Sequence, residues 1–205
     1  MLKRDRKLLL IAVCSSLLMI LLLPHLSHAR ESQERVVRKK PAWPNEPAKI
    51  LSIKLKEAPV ELGQGFLSDD DWLKDLRIVV INTSERPIVF ISIDLGFPRP
   101  QESGAKPPAV YDLEWGQKRV VYPAAPTEEA KVLQPGETVE VRLTKDEYEG
   151  LKSFLTQTGY STSINDLDIL VRTVVFEGDV DLKWYAGMML ARDPENPNRW
   201  MRAKP

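Results

Sequence analysis

The feature that most constrains the fold is a series of short apolar segments separated by turn-forming residues. Residues 50–56 alternate apolar and polar side chains, which is the period of a strand with one buried face. Residues 76–82 and 88–95 are more continuously apolar and rich in valine and isoleucine, as strands near the middle of a sheet are. Further strands are predicted at residues 110–115, 138–143, 166–176 and 182–190. The sequence therefore predicts a mainly β fold, an antiparallel β-sandwich.

One segment has the period of a helix instead. Apolar residues recur at helical spacing across residues 148–155. Thr144 and Glu147 fit a capping box, in which the threonine caps the first turn and the glutamate reaches back to it. Gly159 fits the left-handed residue that often follows a helix. We therefore predict one helical insertion at about residues 145–158.

The first 29 residues have the composition of a bacterial-type secretion signal. Four basic residues precede an apolar run at residues 8–23, and small residues at Ser27 and Ala29 fit a signal-peptidase site. The run is shorter than the about 20 apolar residues that a membrane-spanning helix needs. We predict a signal peptide at residues 1–29 and export to the periplasm or the extracellular space. The alternative is an uncleaved anchor at residues 8–23, which would be the route of contact with a membrane.

The domain boundaries follow from composition. Residues 30–48 are rich in charge and proline and poor in apolar side chains. Such a segment buries too little surface to offset the entropy lost on ordering it. We therefore predict a disordered linker at residues 30–48 and a single β-sandwich domain at residues 49–205, because no internal repeat or second apolar region divides the latter.

Several local patterns resemble a known group of proteins. They are the turn at residues 82–87, the Leu-x-Pro-Gly-Glu-x-Val-x-Val run at residues 133–141, the order VVF-EGD followed by WYAG at residues 174–187, and the tail RDPENPNRW at residues 192–200. The chain is similar in these to uncharacterised exported bacterial proteins with an immunoglobulin-like domain, over most of residues 50–200. The resemblance implies an immunoglobulin-like sandwich and no particular activity, since that group has no assigned function.

Cleavage of the signal would also remove every cysteine and histidine from the chain. The single cysteine, Cys14, and both histidines, His25 and His28, lie within residues 1–29. The remaining chain lacks the groups on which Ser-His-Asp and Cys-His catalysis and most transition-metal sites depend. The signal holds four of the 29 basic and one of the 29 acidic residues, so the remainder carries a net charge of −3. This balance argues against a nucleic-acid partner.

Carboxylates are the reactive groups that remain. Three acidic residues at alternate positions form a candidate calcium site: Glu177, Asp179 and Asp181. The glycine and distal glutamate of an EF-hand loop are missing, and a polar hairpin tip explains the same residues. Glu114 beside Trp115, or Glu177 near Trp184, are candidates for a carboxylate pair in a glycan-acting enzyme. No cofactor other than calcium is predicted.

The aromatic residues are the other functional lead. Trp184 and Tyr185 are neighbours on a predicted strand and point to opposite faces, and we predict that Trp184 is buried between the sheets. Trp115 and Trp200 lie near loop-rich segments, so we predict them as binding residues.

Together these features predict an exported, non-catalytic binding or structural module of the cell envelope, whose partner is an envelope protein or a glycan. A carboxylate-only glycan-acting enzyme and a subunit of an envelope assembly are the alternatives. An exposed, unpaired strand beside an apolar patch would favour the assembly subunit.

Overall fold

The computed structural model describes residues 32–98, 108–122, 125, 131–161, 163–179, 181–196 and 199–203. Residues 32–205 form one unit, and the predicted signal or anchor lies outside the described residues. The described part is mainly β, with a single α-helix, α1 (Lys145–Gln157). None of the helices in these ranges is long and apolar enough to cross a membrane. The strands, in chain order, are β1 (Gln33–Lys39), β2 (Ala48–Leu55), β3 (Ala58–Val60), β4 (Gly65–Ser68), β5 (Leu76–Asn82), β6 (Ile88–Phe97), β7 (Ala109–Gly116), β8 (Thr138–Arg142), β9 (Asp166–Phe176), β10 (Leu182–Tyr185), β11 (Met188–Arg192) and β12 (Trp200–Arg202).

The larger of two sheets is organised around β9. One edge of β9 pairs with β6, which pairs with β7. The other edge pairs with β1 along its first half and with β10 along its second half, and these continue into β4 and into β11 and β12. All pairs are antiparallel except β1 with β9, which run parallel with Val36 opposite Asp166 and Lys39 opposite Ile169. The prediction of a purely antiparallel fold is therefore wrong, because this sheet is mixed.

The smaller sheet has the order β3-β2-β5-β8 and is antiparallel throughout. Most of its buried apolar residues and most of those of the larger sheet belong to one apolar core, an arrangement consistent with a β-sandwich. Val89, Phe90 and Val175 of the larger sheet form a small separate cluster. Helix α1 adds Tyr148, Leu151 and Leu155 to this core. Its capping box forms as predicted, with the Glu147 backbone N–H donating to the Thr144 hydroxyl oxygen.

Most predicted strands are confirmed, some with shifts of a residue or two at their ends. The segment at residues 182–190 is an exception, because it forms two strands, β10 and β11. Ala186 and Gly187 between them both have positive φ, 46° and 85°, which makes the chain reverse in a two-residue hairpin turn. Trp200 lies on a short third strand, β12, that pairs with β11.

The predicted linker is the largest error, because residues 33–39 are a strand within the large sheet. Arg35 and Val37 of this strand are both 0% exposed. The Arg35 guanidinium donates to the Ile164 carbonyl at 2.9 Å and to the Asp70 carboxylate at 2.7 Å. A buried cation is tolerated when its donors find acceptors of this kind. The ordered domain therefore begins at about residue 32 rather than 49.

Candidate functional site

The outer face of the large sheet, opposite the core, carries a groove with a volume of about 450 Å³. It runs across β9, β6 and β7 and is closed on one side by the segment that follows β1. We call it the outer-face groove. Its volume lies in the range of small-molecule sites, about 300–1,000 Å³. It is lined by Lys40, Pro41, Ala42, Trp43, Asp94, Gly96, Pro108, Val110, Asp168, Leu170 and Arg172.

The walls of the outer-face groove are largely apolar. Trp43 is 38% exposed and comes from the proline-rich segment that the sequence analysis treated as a linker. This segment is held against the turn between β10 and β11, where a Cβ built on Gly187 would lie 3.4 Å from Trp43. Val110 of β7 is another exposed apolar residue of the groove. The groove thus presents an exposed aromatic ring on a segment packed against the sheet.

The floor of the outer-face groove is charged but internally neutralised. Asp94 of β6 is only 5% exposed and accepts a hydrogen bond from Arg172 Nε of β9 at 2.7 Å, with a second bond from the same guanidinium. Lys40 Nζ lies 2.8 Å from the Asp168 carboxylate. Each buried charge therefore has a partner of the opposite sign, which is what allows charges to sit below apolar walls.

A row of acidic residues continues beside the groove along β7. Asp112 lies directly opposite Asp94 in the register of β6 and β7. Partial desolvation, then the negative charges of Asp94 and Glu114, raise the pKa of Asp112, and the Arg172 charge opposes this. Farther along, desolvation and a hydrogen bond to Glu114 raise the pKa of Tyr122 to about 12. Asp112 therefore stands close to two other carboxylates beside the groove.

Replacing Asp112 by asparagine is expected to stabilise the protein at neutral pH. Because the pKa of Asp112 is raised in the folded state, folding disfavours its ionised form. The native protein therefore loses stability as pH rises through the folded-state pKa. The gain from Asp112→Asn should therefore be present at pH 7 and disappear below the ordinary aspartate pKa of about 3.9. Urea denaturation across this pH range measures it, and a variant less stable than the native protein at pH 7 would contradict the account.

Trp115 lies at a different groove, of about 550 Å³, between β7 and β8 at the open edge of the two sheets. The tryptophan is partly buried and packs against the main core. Around it are charged groups, among them Lys118, whose ammonium lies 3.3 Å from the Glu147 carboxylate and 3.7 Å from Glu114. Trp115 is thus placed at a concave surface, but most of what surrounds it is occupied by ion pairs.

Trp200 is partly buried on the outer face of β12 and contacts two cations. Lys183 Nζ lies 4.1 Å from the centroid of its ring, and the guanidinium carbon of Arg192 lies 4.5 Å from it. These are favourable cation–π distances. The Trp200 ring therefore contacts two cations, and this surface suits an anionic ligand. Trp184, by contrast, is 3% exposed and belongs to the core as predicted.

The three carboxylates of the candidate calcium site are not brought together. Asp179 pairs with Arg86, and Asp181 accepts a hydrogen bond from Arg192 Nε at 3.0 Å. Among the residues that the structure describes, no group of three or more metal-ligating side chains is found. The hairpin connection that the same residues predicted does form between β9 and β10.

The two candidate carboxylates for a glycan-acting enzyme, Glu114 beside Trp115 and Glu177 near Trp184, lie apart from one another. Glu114 lies opposite Ser92 of β6, whereas the backbone of Glu177 is bonded to Pro87, five residues away along the chain. At about 3.3 Å per residue of strand, this separation is about 16 Å. A glycosidase needs its two carboxylates within about 10 Å of one another.

The residues of the outer-face groove were missed by sequence reasoning, although signals were present. Asp94 is the one charged residue of β6 and Arg172 is the one basic residue of β9, which predicts that they pair. Trp43 stands between prolines in a segment otherwise poor in apolar residues. A large aromatic side chain in such a position indicates that the segment packs against something.

Comparison with known proteins adds no further constraint, since no family model, curated protein or solved structure matches this chain.

Proposed function

We propose that the protein is an exported, non-catalytic binding module of the cell envelope, and that the outer-face groove is where it binds a small amphipathic ligand or an extended part of a larger partner. The composition of residues 1–29 supports export. The immunoglobulin-like character of the fold is part of the same proposal, and two sheets around one core support it.

The observation that carries the proposal is the combination of apolar walls with a neutralised polar floor. An apolar body would lie against Trp43, Val110 and Leu170, and polar groups of the ligand would meet the ion pairs beneath. Binding sites of this type combine a mainly apolar lining with a few fixed polar groups that set orientation. The ion pair between β6 and β9 and the pair between Lys40, which follows β1, and Asp168 of β9 keep those polar groups in place before the ligand arrives.

Catalysis is not part of the proposal, for a reason that lies in the site. Asp94, the most buried carboxylate of the groove, is occupied by its ion pair with the Arg172 guanidinium. Asp112 beside it is an exposed residue of β7 and does not line the groove. Asp94 and Asp112 therefore do not form the two facing carboxylates in a cleft that glycan hydrolysis requires.

A space-filling variant tests the proposal. Gly96 lines the groove, and a Cβ built on it lies no closer than 3.4 Å to its neighbours, so alanine should fit there. Gly96→Leu should fill the groove and weaken fragment binding by about tenfold or more, a loss of at least about 1.4 kcal/mol. The measurement is a ligand-observed NMR screen of alkyl and aryl fragments carrying amine, hydroxyl or carboxylate groups.

Gly96→Ala is the matched control and should keep most of the binding. If no fragment binds the native protein at millimolar concentration, or if Gly96→Leu binds as well as Gly96→Ala, the outer-face groove is not the binding site.

A further inference from the structure

Strands β10, β11 and β12 present a cationic surface on their outer face, built on two aromatic rings. We infer that this surface binds a polyanionic glycan, a sugar chain that carries repeated carboxylate, sulfate or phosphate groups. The cations of this surface stand on other strands than those of the outer-face groove, although Arg172 of the groove also lies 5.8 Å from the centroid of the Tyr185 ring.

The register of the three strands places the cations in two adjacent rows. In one row Lys183 lies opposite Leu190, which lies opposite Arg202. In the next row Arg192 lies opposite Trp200. Neighbouring strands are about 4.8 Å apart, so Lys183 and Arg202 stand about 10 Å apart across the sheet. The surface therefore offers positive charge at intervals across the strands, which suits an extended ligand.

The aromatic rings fix where these cations stand. Lys183 Nζ is 4.1 Å from the centroid of the Trp200 ring and 5.6 Å from that of Tyr185. Arg192 also lies against the Trp200 ring. Cations held over rings lose less side-chain freedom when a ligand binds, which reduces the cost of association.

Among the residues that the structure describes, no carboxylate balances the positive charge of Lys183. Within the described ranges no carboxylate forms an ion pair with Lys183 or Arg202, although Arg192 pairs with Asp181. Desolvation, and then the positive charge of Arg192, lower the pKa of Lys183. A partly desolvated ammonium beside a second cation lies in a positive potential, and an anion bound there would relieve the repulsion.

An anionic sugar chain fits this surface better than other polyanions do. Proteins that bind single-stranded nucleic acid stack its bases on aromatic rings, whereas the Trp200 ring is already in contact with two cations. Recognition of an anionic membrane usually relies on clusters of about four to eight lysines and arginines, more than the three cations of this surface. An extended chain that crosses the strands needs only the few spaced charges present here.

The test is titration calorimetry with a hexamer of polygalacturonate, with neutral maltohexaose as the control ligand. Lys183→Gln and Arg202→Gln should each weaken polygalacturonate binding by about tenfold, the loss of one charge-assisted contact. Lys145→Gln, which removes an exposed lysine from helix α1, is the control variant and should bind like the native protein. Thermal unfolding of each variant shows that it remains folded.

A second readout concerns Lys183 itself. Its pKa, followed by NMR of the side chain, should rise when polygalacturonate binds, because a neighbouring anion favours the charged ammonium. The inference is overturned if maltohexaose binds equally well, if Lys145→Gln weakens binding as much as Lys183→Gln, or if the pKa of Lys183 does not change. Tighter binding of a DNA oligonucleotide or of anionic vesicles would also overturn it.

Discussion

Replacing Arg35 by methionine is expected to lower the free energy of unfolding by about 2 kcal/mol, because the buried Ile164 carbonyl and three more exposed acceptors lose their donor at once. The guanidinium is fully buried and donates to Asp70, Ser163, the Ile164 carbonyl and the Asn165 amide oxygen. Methionine keeps much of the apolar stem and removes the hydrogen bonds. Urea denaturation monitored by circular dichroism measures the loss.

Arg38 provides a matched control on the same strand. It pairs with Asp166 at 2.6 Å, but its side chain is 49% exposed. Exposed pairs contribute little, so Arg38→Met should cost less than about 1 kcal/mol. Equal effects of the two substitutions would mean that Arg35 does not anchor β1, and that the domain does not depend on this strand.

Replacing Gly116 by alanine is expected to destabilise the protein by about 3 kcal/mol or more, because both the backbone conformation and the available space exclude a side chain. Gly116 has a φ of 95°, and a Cβ built there would lie 2.1 Å from the Val89 carbonyl oxygen. That oxygen accepts a hydrogen bond from the Gln117 backbone, so the strand and the turn after it would both have to move. Denaturation in urea provides the measurement.

Gly136 provides a control that separates the cost of the left-handed backbone conformation from the cost of the steric clash. Its φ is 79°, but no atom lies within 4 Å of a Cβ built on it. Gly136→Ala should therefore cost only the left-handed conformation, about 1 kcal/mol. If Gly116→Ala were no more destabilising than Gly136→Ala, the close approach of β7 to β6 would not be what excludes a side chain at Gly116.

Much of the fold follows from local patterns. The strand at residues 76–82, the long strand at residues 166–176 and the capping box at Thr144 depend on the period of apolar residues and on contacts between near neighbours in sequence. Strand β1 differs, because one of its two fully buried residues is an arginine whose acceptors lie about 35 and 130 residues away in the chain. Arg35 therefore looks like a solvated charge until its distant partners are known.

The site was harder to predict for a similar reason. Trp115 and Trp200 were recognisable as tryptophans near loops, but whether they face solvent, the core or a cation depends on strand register. The outer-face groove is formed by residues from four separate parts of the chain, including a segment that composition alone classifies as a linker. The pairing of Asp94 with Arg172 could have been indicated by the sequence, since Asp94 is the one charged residue of β6 and Arg172 is the one basic residue of β9.

The most direct test of the account is to record the five tryptophan indole N–H resonances while fragments from the screen are added. Trp43 lines the outer-face groove, whereas Trp72 and Trp184 are buried in the core. If fragments bind in the outer-face groove, the Trp43 resonance shifts on binding, those of Trp72 and Trp184 stay in place, and the shift disappears in Gly96→Leu. A Trp43 resonance that does not respond to any bound fragment, or one that responds equally in Gly96→Leu, would contradict the account.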